Sequence, residues 1–234
     1  MQIDIGYRPA HSMAKISLNP GEQILAESGA MVGMSTNVSM TTGMQSKPGG
    51  GLLGGLMAGL KRALAGESWF RNTFTANGGP GEVLLAHAMC GDMQVVQVPA
   101  TGLHLTSSSF IASTPSVNIE TKLQGFKGFF SGEGAFVMQA NTQDPNSQLI
   151  FGAFGGVTEL VCDGNLVIDT GHLVAWDSTL TYKIGKSGGG WIASFLSGEG
   201  LVCHFQGQGR IWIQSRNPVA YGQYVGGQLP PRKG

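Results

Sequence analysis

A tripeptide of a small residue, glycine and glutamate occurs three times, as Ala65-Gly66-Glu67, Ser131-Gly132-Glu133 and Ser197-Gly198-Glu199, and both intervals are 66 residues. An internal period of that size constrains a 234-residue chain more than any other feature, because it makes each copy one structural unit stacked on its neighbours. The flanks keep the same phase. Each glutamate is followed by an apolar strand: Ser68-Trp69-Phe70, Gly134-Ala135-Phe136-Val137 and Gly200-Leu201-Val202. A turn and a second apolar strand come next, at Glu82–Leu85, Gln148–Phe151 and Arg210–Ile213. Each copy also opens on a turn between apolar runs, at Asn19-Pro20-Gly21-Glu22, Gly91-Asp92 and Asp163-Gly164. Asp-Gly and its reverse tolerate positive φ, so these turns predict three β-hairpins.

The strands themselves alternate. Val117 and Ile119 interleave with Ser116, Asn118 and Glu120, and Leu180, Tyr182 and Ile184 interleave with Thr179, Thr181 and Lys183. That period of two marks sheets covered on one face. Helical spacing is convincing only at Leu53, Leu56, Met57, Leu60 and Leu64, where it predicts one short helix within residues 52–65. The 38 glycines, about twice the usual share, punctuate short apolar runs as turns between strands would. The expected fold is therefore all-β: three tandem β-sandwich-like repeats about a pseudo-threefold axis, with one short helix in the first repeat. The repeats are expected at residues 15–87, 88–160 and 161–215, within a single domain of residues 1–234 that ends in a tail, 216–234.

Other features exclude function classes. Fourteen basic residues balance fourteen acidic ones, so no long-range field draws the chain to nucleic acid. Cys90, Cys162 and Cys203 are odd in number and lack a C-x-x-C spacing, which predicts three free thiols rather than a disulfide framework or zinc ribbon. The N-terminus shows neither the basic-then-apolar order of a signal peptide nor an Arg/Ser-rich presequence. No apolar run is long enough to span a bilayer. The expected location is cytoplasmic, with room for membrane association. Gly49-Gly50-Gly51-Leu52-Leu53-Gly54 fits a dinucleotide-loop pattern but follows Lys47-Pro48 rather than a strand, and no acidic residue stands about 20 residues on. The histidines show no metal-ligand spacing, and Cys203 and His204, adjacent in a strand, point to opposite faces. No nucleophile elbow is present. No enzyme and no cofactor are expected.

Two sets of residues remain as candidates. Glu67, Glu133 and Glu199 are read first as turn-fixing hydrogen-bond acceptors and second as a carboxylate cluster for a hard cation. The segment before each glutamate is glycine-flanked, apolar and basic at its edge: Leu52, Leu56, Lys61 and Arg62; Phe129 and Phe130 beside Lys127; Trp191 and Phe195 after Lys186. These segments are either core or a shared apolar face suited to a protein partner, self-association or peripheral membrane contact. A non-enzymatic scaffold or interaction protein is the leading expectation. A small-ligand or nucleic-acid-binding module is the alternative, with nucleic acid disfavoured by the neutral charge, and a hydrolase comes third.

Ser28-Gly29-Ala30-Met31, the Gly-rich stretch from Gly49 to Gly66, and Gly66-Glu67-Ser68-Trp69-Phe70 running into Asn72–Ala76 resemble a known group. It is the bacterial branch of the altered-inheritance-of-mitochondria (mitochondrial biogenesis) family, and the resemblance spans roughly residues 1–220. It implies a fold like that of the tryptophan RNA-binding attenuation protein, repeated within one chain, and it implies no catalytic residues.

Overall fold

The computed structural model describes residues 1–44, 70–122, 137–186 and 201–230. After an N-terminal strand β1 (Gln2–Gly6), the chain runs through β2 (Met13–Leu18), β3 (Gln23–Glu27), β4 (Met31–Met34), β5 (Val38–Met44), β6 (Phe70–Ala76) and β7 (Gly81–Ala86). Next come β8 (Met93–Gln97), β9 (Leu103–Thr106), β10 (Phe110–Ser113), β11 (Asn118–Lys122), β12 (Val137–Asn141) and β13 (Gln148–Gly152). The last set is β14 (Val157–Asp169), β15 (Leu173–Asp177), β16 (Thr181–Lys186) and β17 (Leu201–Gln214), followed by helix α1 (Pro218–Gln228). Every strand ladder is antiparallel.

One pairing scheme recurs along the chain. In β2–β7 the first and third strands flank the sixth (β2·β7, β4·β7), while the second and fourth flank the fifth (β3·β6, β5·β6). In β8–β13 the same positions pair: β8·β13, β10·β13, β9·β12 and β11·β12. In the last set the first two strands are the halves of β14, the final two are the halves of β17, and β15 and β16 both lie on β17. The first two sets each contribute strands to two sheets and turn a corner between their first and second strands, whereas the third set lies in one sheet. A positive-φ glycine stands between the first and second strands of the first two sets, Gly21 at 81° and Gly102 at 88°, and at the equivalent point inside β14, Gly164 at 111°. A side chain would be strained there.

This geometry corrects the hairpin expectation. β2 and β3 belong to different sheets, so Asn19–Glu22 is a corner and not a hairpin turn. Gly91-Asp92 likewise falls between β7 and β8, which do not pair, and the second set turns its corner at Gly102. Asp163-Gly164 lies inside β14, opposite Gln208 and Gly207 of β17. The physical reason is burial. The apolar runs on either side of each turn are covered by distant strands, and folding them onto each other would leave those strands unpaired.

The core follows the corners rather than the sets. Ile111, Ala112 and Ile150 pack with Ile16, Ile24, Phe74 and Leu85. Val174, Ala175 and Trp212 pack with Leu103, Leu105, Phe110 and Phe151. The alternating strands behave as expected: Val117 and Ile119 are buried while Asn118 and Glu120 are exposed. The predicted helix at 52–65 lies outside the described residues. The C-terminal tail, by contrast, carries an 11-residue helix, capped by the Asn217 side chain accepting from Val219 and Ala220 N–H groups with Pro218 at its first position. It buries no residue fully and rests Tyr221 on Phe154, ring centroids 5.0 Å apart.

The N-terminal segment is fastened to the second set. Arg8 grips Asp92 with two hydrogen bonds, Nε to Oδ1 at 2.8 Å and Nη2 to Oδ2 at 2.7 Å, while Ser12 Oγ and the Met93 N–H also donate to Oδ1. Burial pushes the Asp92 carboxyl upward, but these donors and the Arg8 charge outweigh it and hold the group below the ordinary carboxylate range. A carboxyl depressed in the folded state stabilises above its unfolded value of about 3.9 and loses that contribution as pH falls through the folded value. Asp92→Asn should lower stability at pH 7 by about 2 kcal/mol and flatten the loss of melting temperature on acidification below about pH 4, both read by thermal denaturation across pH.

The thiols give a second test. Cys90 is exposed, Cys162 and Cys203 are buried, and all three are free; burial pushes the Cys203 thiol up to about 12. Thiol titration without reductant should count one fast-reacting group in the native protein and three after denaturation.

Candidate interaction edges

Two seams join successive sets, and each has the same construction. At the first, β10 pairs with β3 through Ala112↔Ala26 and Ser113↔Leu25. At the second, β15 pairs with β9 through Ala175↔Leu105, Trp176↔His104 and Asp177↔Leu103. In both, the third strand of one set docks on the second strand of the set before it. The two sheets that result have the same order, β5-β6-β3-β10-β13-β8 and β11-β12-β9-β15-β17-β14. Both third strands are buried along their whole length.

Among the described residues, one edge of the first set and one of the third have no such partner. Strand β4 closes the sheet β1-β2-β7-β4, with its outer side unpaired among the described residues. Its side chains lie open: Met31 is 38% exposed, Val32 57% and Met34 40%. Among the described residues, the second half of β14, Asn165–Asp169, pairs only with β17, and there Val167 is 53% exposed. Leu166 and Ile168 are half-buried, while their counterparts Leu103 and Leu105 are fully covered by the seam.

The register of β4 matches that of β10 and β15 in detail. All three carry an irregularity one residue into their ladder with the sixth strand, between Met31 and Gly33, Phe110 and Ala112, and Leu173 and Ala175. All three end on a polar side chain that accepts the sixth strand's backbone N–H. Ser35 Oγ takes Glu82 N–H at 2.9 Å, Thr114 Oγ1 takes Gln148 N–H at 3.1 Å, and Asp177 Oδ2 takes Arg210 N–H at 2.8 Å. Val32 therefore stands where Ile111 and Val174 stand, and both of those are fully buried.

Glu67, Glu133 and Glu199, and with them Leu52, Leu56, Lys61, Arg62, Phe129, Phe130, Trp191 and Phe195, are outside the described residues. Their flanks are described. In each set the segment falls between the fourth and fifth strands, whose ladders end at the pairs Met44↔Phe70, Lys122↔Val137 and Lys186↔Leu201. Sequence reasoning missed β4 and the end of β14, because Met31–Met34 and Asn165–Asp169 read like any other apolar strand. Only the position of each in the strand order distinguishes a covered edge from an open one. The lack of any Lys or Pro in both segments was the one available signal.

Among the described residues, no group of three or more His, Cys, Asp or Glu side chains is placed to hold a metal ion. Ser178 Oγ lies 3.2 Å from His104 Nδ1, a contact a hydrolase would need. The His104 ring is stacked on Trp176 at 5.5 Å and meets Tyr182 edge-on at 6.0 Å. The Ser178 N–H donates to Gly102 O at 3.1 Å, so the pair fastens the turn after β15 to the corner before β9. No described helix is long and apolar enough to cross a membrane.

The comparisons with known proteins fit this architecture. An uncharacterised protein of Streptococcus pyogenes serotype M6 is 31% identical over 209 residues, covering 88% of this chain and 82% of its own length. The crystal structure of a Streptococcus pyogenes protein superposes with a TM-score of 0.77 at 27% identity, covering 97% of this chain and 99% of that one. The model of the family described as mitochondrial biogenesis AIM24 matches residues 3–216. With nearly the whole chain matched, this protein belongs to that family.

Proposed function

We propose that the chain is a non-enzymatic interaction protein that binds a protein partner by adding strands at its two open sheet edges. The observation that carries this reading is the exposure of β4, the one third strand of the three that no preceding second strand covers. Exposed apolar strands with unpaired backbone groups are ready sites for strand addition, in which main-chain hydrogen bonds give affinity and alternate side chains give selectivity. The Ser178–His104 contact lies at a seam that Ser178 also fastens through its N–H to Gly102 O, which supports the non-enzymatic reading.

The apolar segments read from sequence are proposed as a second contact region. Their common position, between the fourth and fifth strands of each set, supports a shared face for a partner or a lipid surface.

Affinity capture with the wild-type chain and with a Val32→Lys/Val167→Lys variant as baits tests the reading. Partners held by the first and lost from the second are expected, with both baits equally stable because the two positions are exposed. Turnover of an ester, amide or phosphate substrate that Ser178→Ala abolishes would overturn the non-enzymatic assignment. Retention of the same proteins by both baits would remove the edges from it.

A further inference from the structure

Three of the ten methionines fall between positions 31 and 40, Met31 and Met34 on β4 and Met40 on β5. These are consecutive edge strands of the two sheets that enclose the first core. β4 ends the sheet β1-β2-β7-β4, and β5 ends the sheet β5-β6-β3-β10-β13-β8. The turn between them is short, with the Val38 N–H donating to Ser35 O at 3.0 Å. Both strands therefore border the same flank of that sandwich.

Register decides which way the three side chains point, because residues directly opposite in an antiparallel ladder share a face. Met31 lies opposite Leu85 and Met34 opposite Val83, the irregularity between Met31 and Gly33 bringing both to one face. Met40 lies opposite Phe74. Leu85, Val83 and Phe74 are all fully buried in the first core. Met31 and Met34 thus face inward from one sheet and Met40 inward from the other, across a gap of about 10 Å. Unbranched side chains with three rotatable bonds reach the middle of such a gap from both sides. Met40 is 41% exposed, much like Met31 and Met34, so all three stand at the mouth of the gap. In the other sets the position of Met31 is taken by Phe110 and Leu173, which are buried. The first set places an open thioether where those place closed carbon.

We propose that Met31, Met34 and Met40 form a thioether site for a soft monovalent metal ion of the Cu(I) class, with the buried side chains of Val38 and Phe74 as its apolar floor. A thioether is a neutral, polarisable donor, and such donors select Cu(I) over the hard cations that oxygen ligands hold. The hydroxyls on the same flank are engaged elsewhere, Ser35 Oγ with the Glu82 N–H and Thr42 Oγ1 with Asn72 Oδ1. Neither strand carries an anionic side chain, so a bound ion keeps its full charge. Sheltering charge from water is costly, which favours a monovalent ion over a divalent one. The site is independent of strand addition at β4, since the thioethers face the gap between the sheets and the unpaired backbone groups face along the sheet.

The test uses the full chain with Cys90→Ser, which removes the exposed thiol that would otherwise take the metal. Ag(I) serves as the probe, a redox-inert ion of the same charge and softness as Cu(I). Calorimetric titration should show one ion bound per chain. With isotope-labelled methionine methyl groups, the signals of Met31, Met34 and Met40, assigned by single Leu replacements, should shift on addition of up to one equivalent. Those of Met93 and Met138, both fully buried, should stay in place. Met40→Leu should weaken binding by about tenfold or more, the least that losing even an outer-sphere partner of a metal costs. The double replacement Met31→Leu/Met34→Leu should abolish binding. Leucine conserves volume, and circular dichroism establishes that each variant folds; where one does not, the methyl shifts of the parent chain decide. Zn(II) and Ca(II) should leave the three methyl signals unmoved. A parent chain that takes up no Ag(I), shifts confined to other methionines, or full affinity in the Met40→Leu chain overturns the proposal. Movement of the same three signals by Zn(II) overturns the assignment to a soft monovalent ion.

Discussion

Every peptide group in a strand presents hydrogen-bonding atoms to both sides, and a sheet is stable only where most of them are answered. In this molecule the answer cannot come from within one set of strands. In the first two sets a glycine corner sends the first and second strands into different sheets, and in all three sets the third strand finds the sixth on one side and nothing of its own on the other. Its second partner must be the second strand of the neighbouring set. The seams, the shared core and the exposure of β4 all follow from that requirement.

The third set meets the constraint differently from the first two. There the corner residues stay in register, Gly164 facing Gly207, and the first and second strands fuse into β14 while the fifth and sixth fuse into β17. Paired positive-φ glycines let both strands bend together without breaking the ladder. The largest buried rings of the molecule, Trp176 and Trp212, lie on or beside this long ladder, with Phe151 and Phe205 against them at 5.7 Å. Arg210 spans the same region, bonded to Asp177 and lying over the Trp212 ring at 4.8 Å.

Much of the architecture was legible in the sequence, and the errors share one cause. Alternation in Val117–Glu120 and Thr179–Ile184 identified real strands with the right faces inward, because the period of two is a local property. Pro20-Gly21 was correctly read as a turn and wrongly as a hairpin, and Asp163-Gly164, also read as a hairpin turn, lies inside one continuous strand. Turn chemistry specifies a backbone conformation but not which strand lies across the sheet, and that is decided by burial against strands as distant in sequence as Ala26 is from Ala112. Helix α1 was missed although Asn217-Pro218 is a plain start signal, because its apolar residues show no stripe. The open edges were illegible for the same reason as the seams: a strand's neighbours are a fact of topology, and Met31–Met34 differs from Phe110–Ser113 only in where it falls in the order.

The direction of the seams also bears on how the chain is made. Since each third strand covers the second strand of the set before it, a newly made β3 waits, open, until Phe110–Ser113 emerges, and β9 waits for Leu173–Asp177. Arg8 and Ser12 similarly have no Asp92 to hold until the second set has begun. Synthesis from the N-terminus therefore carries one unfinished edge forward along the nascent chain, each closed by the segment that follows. At Asn165–Asp169 no strand among the described residues closes it, and this edge keeps the form that β3 and β9 have before their seams are made.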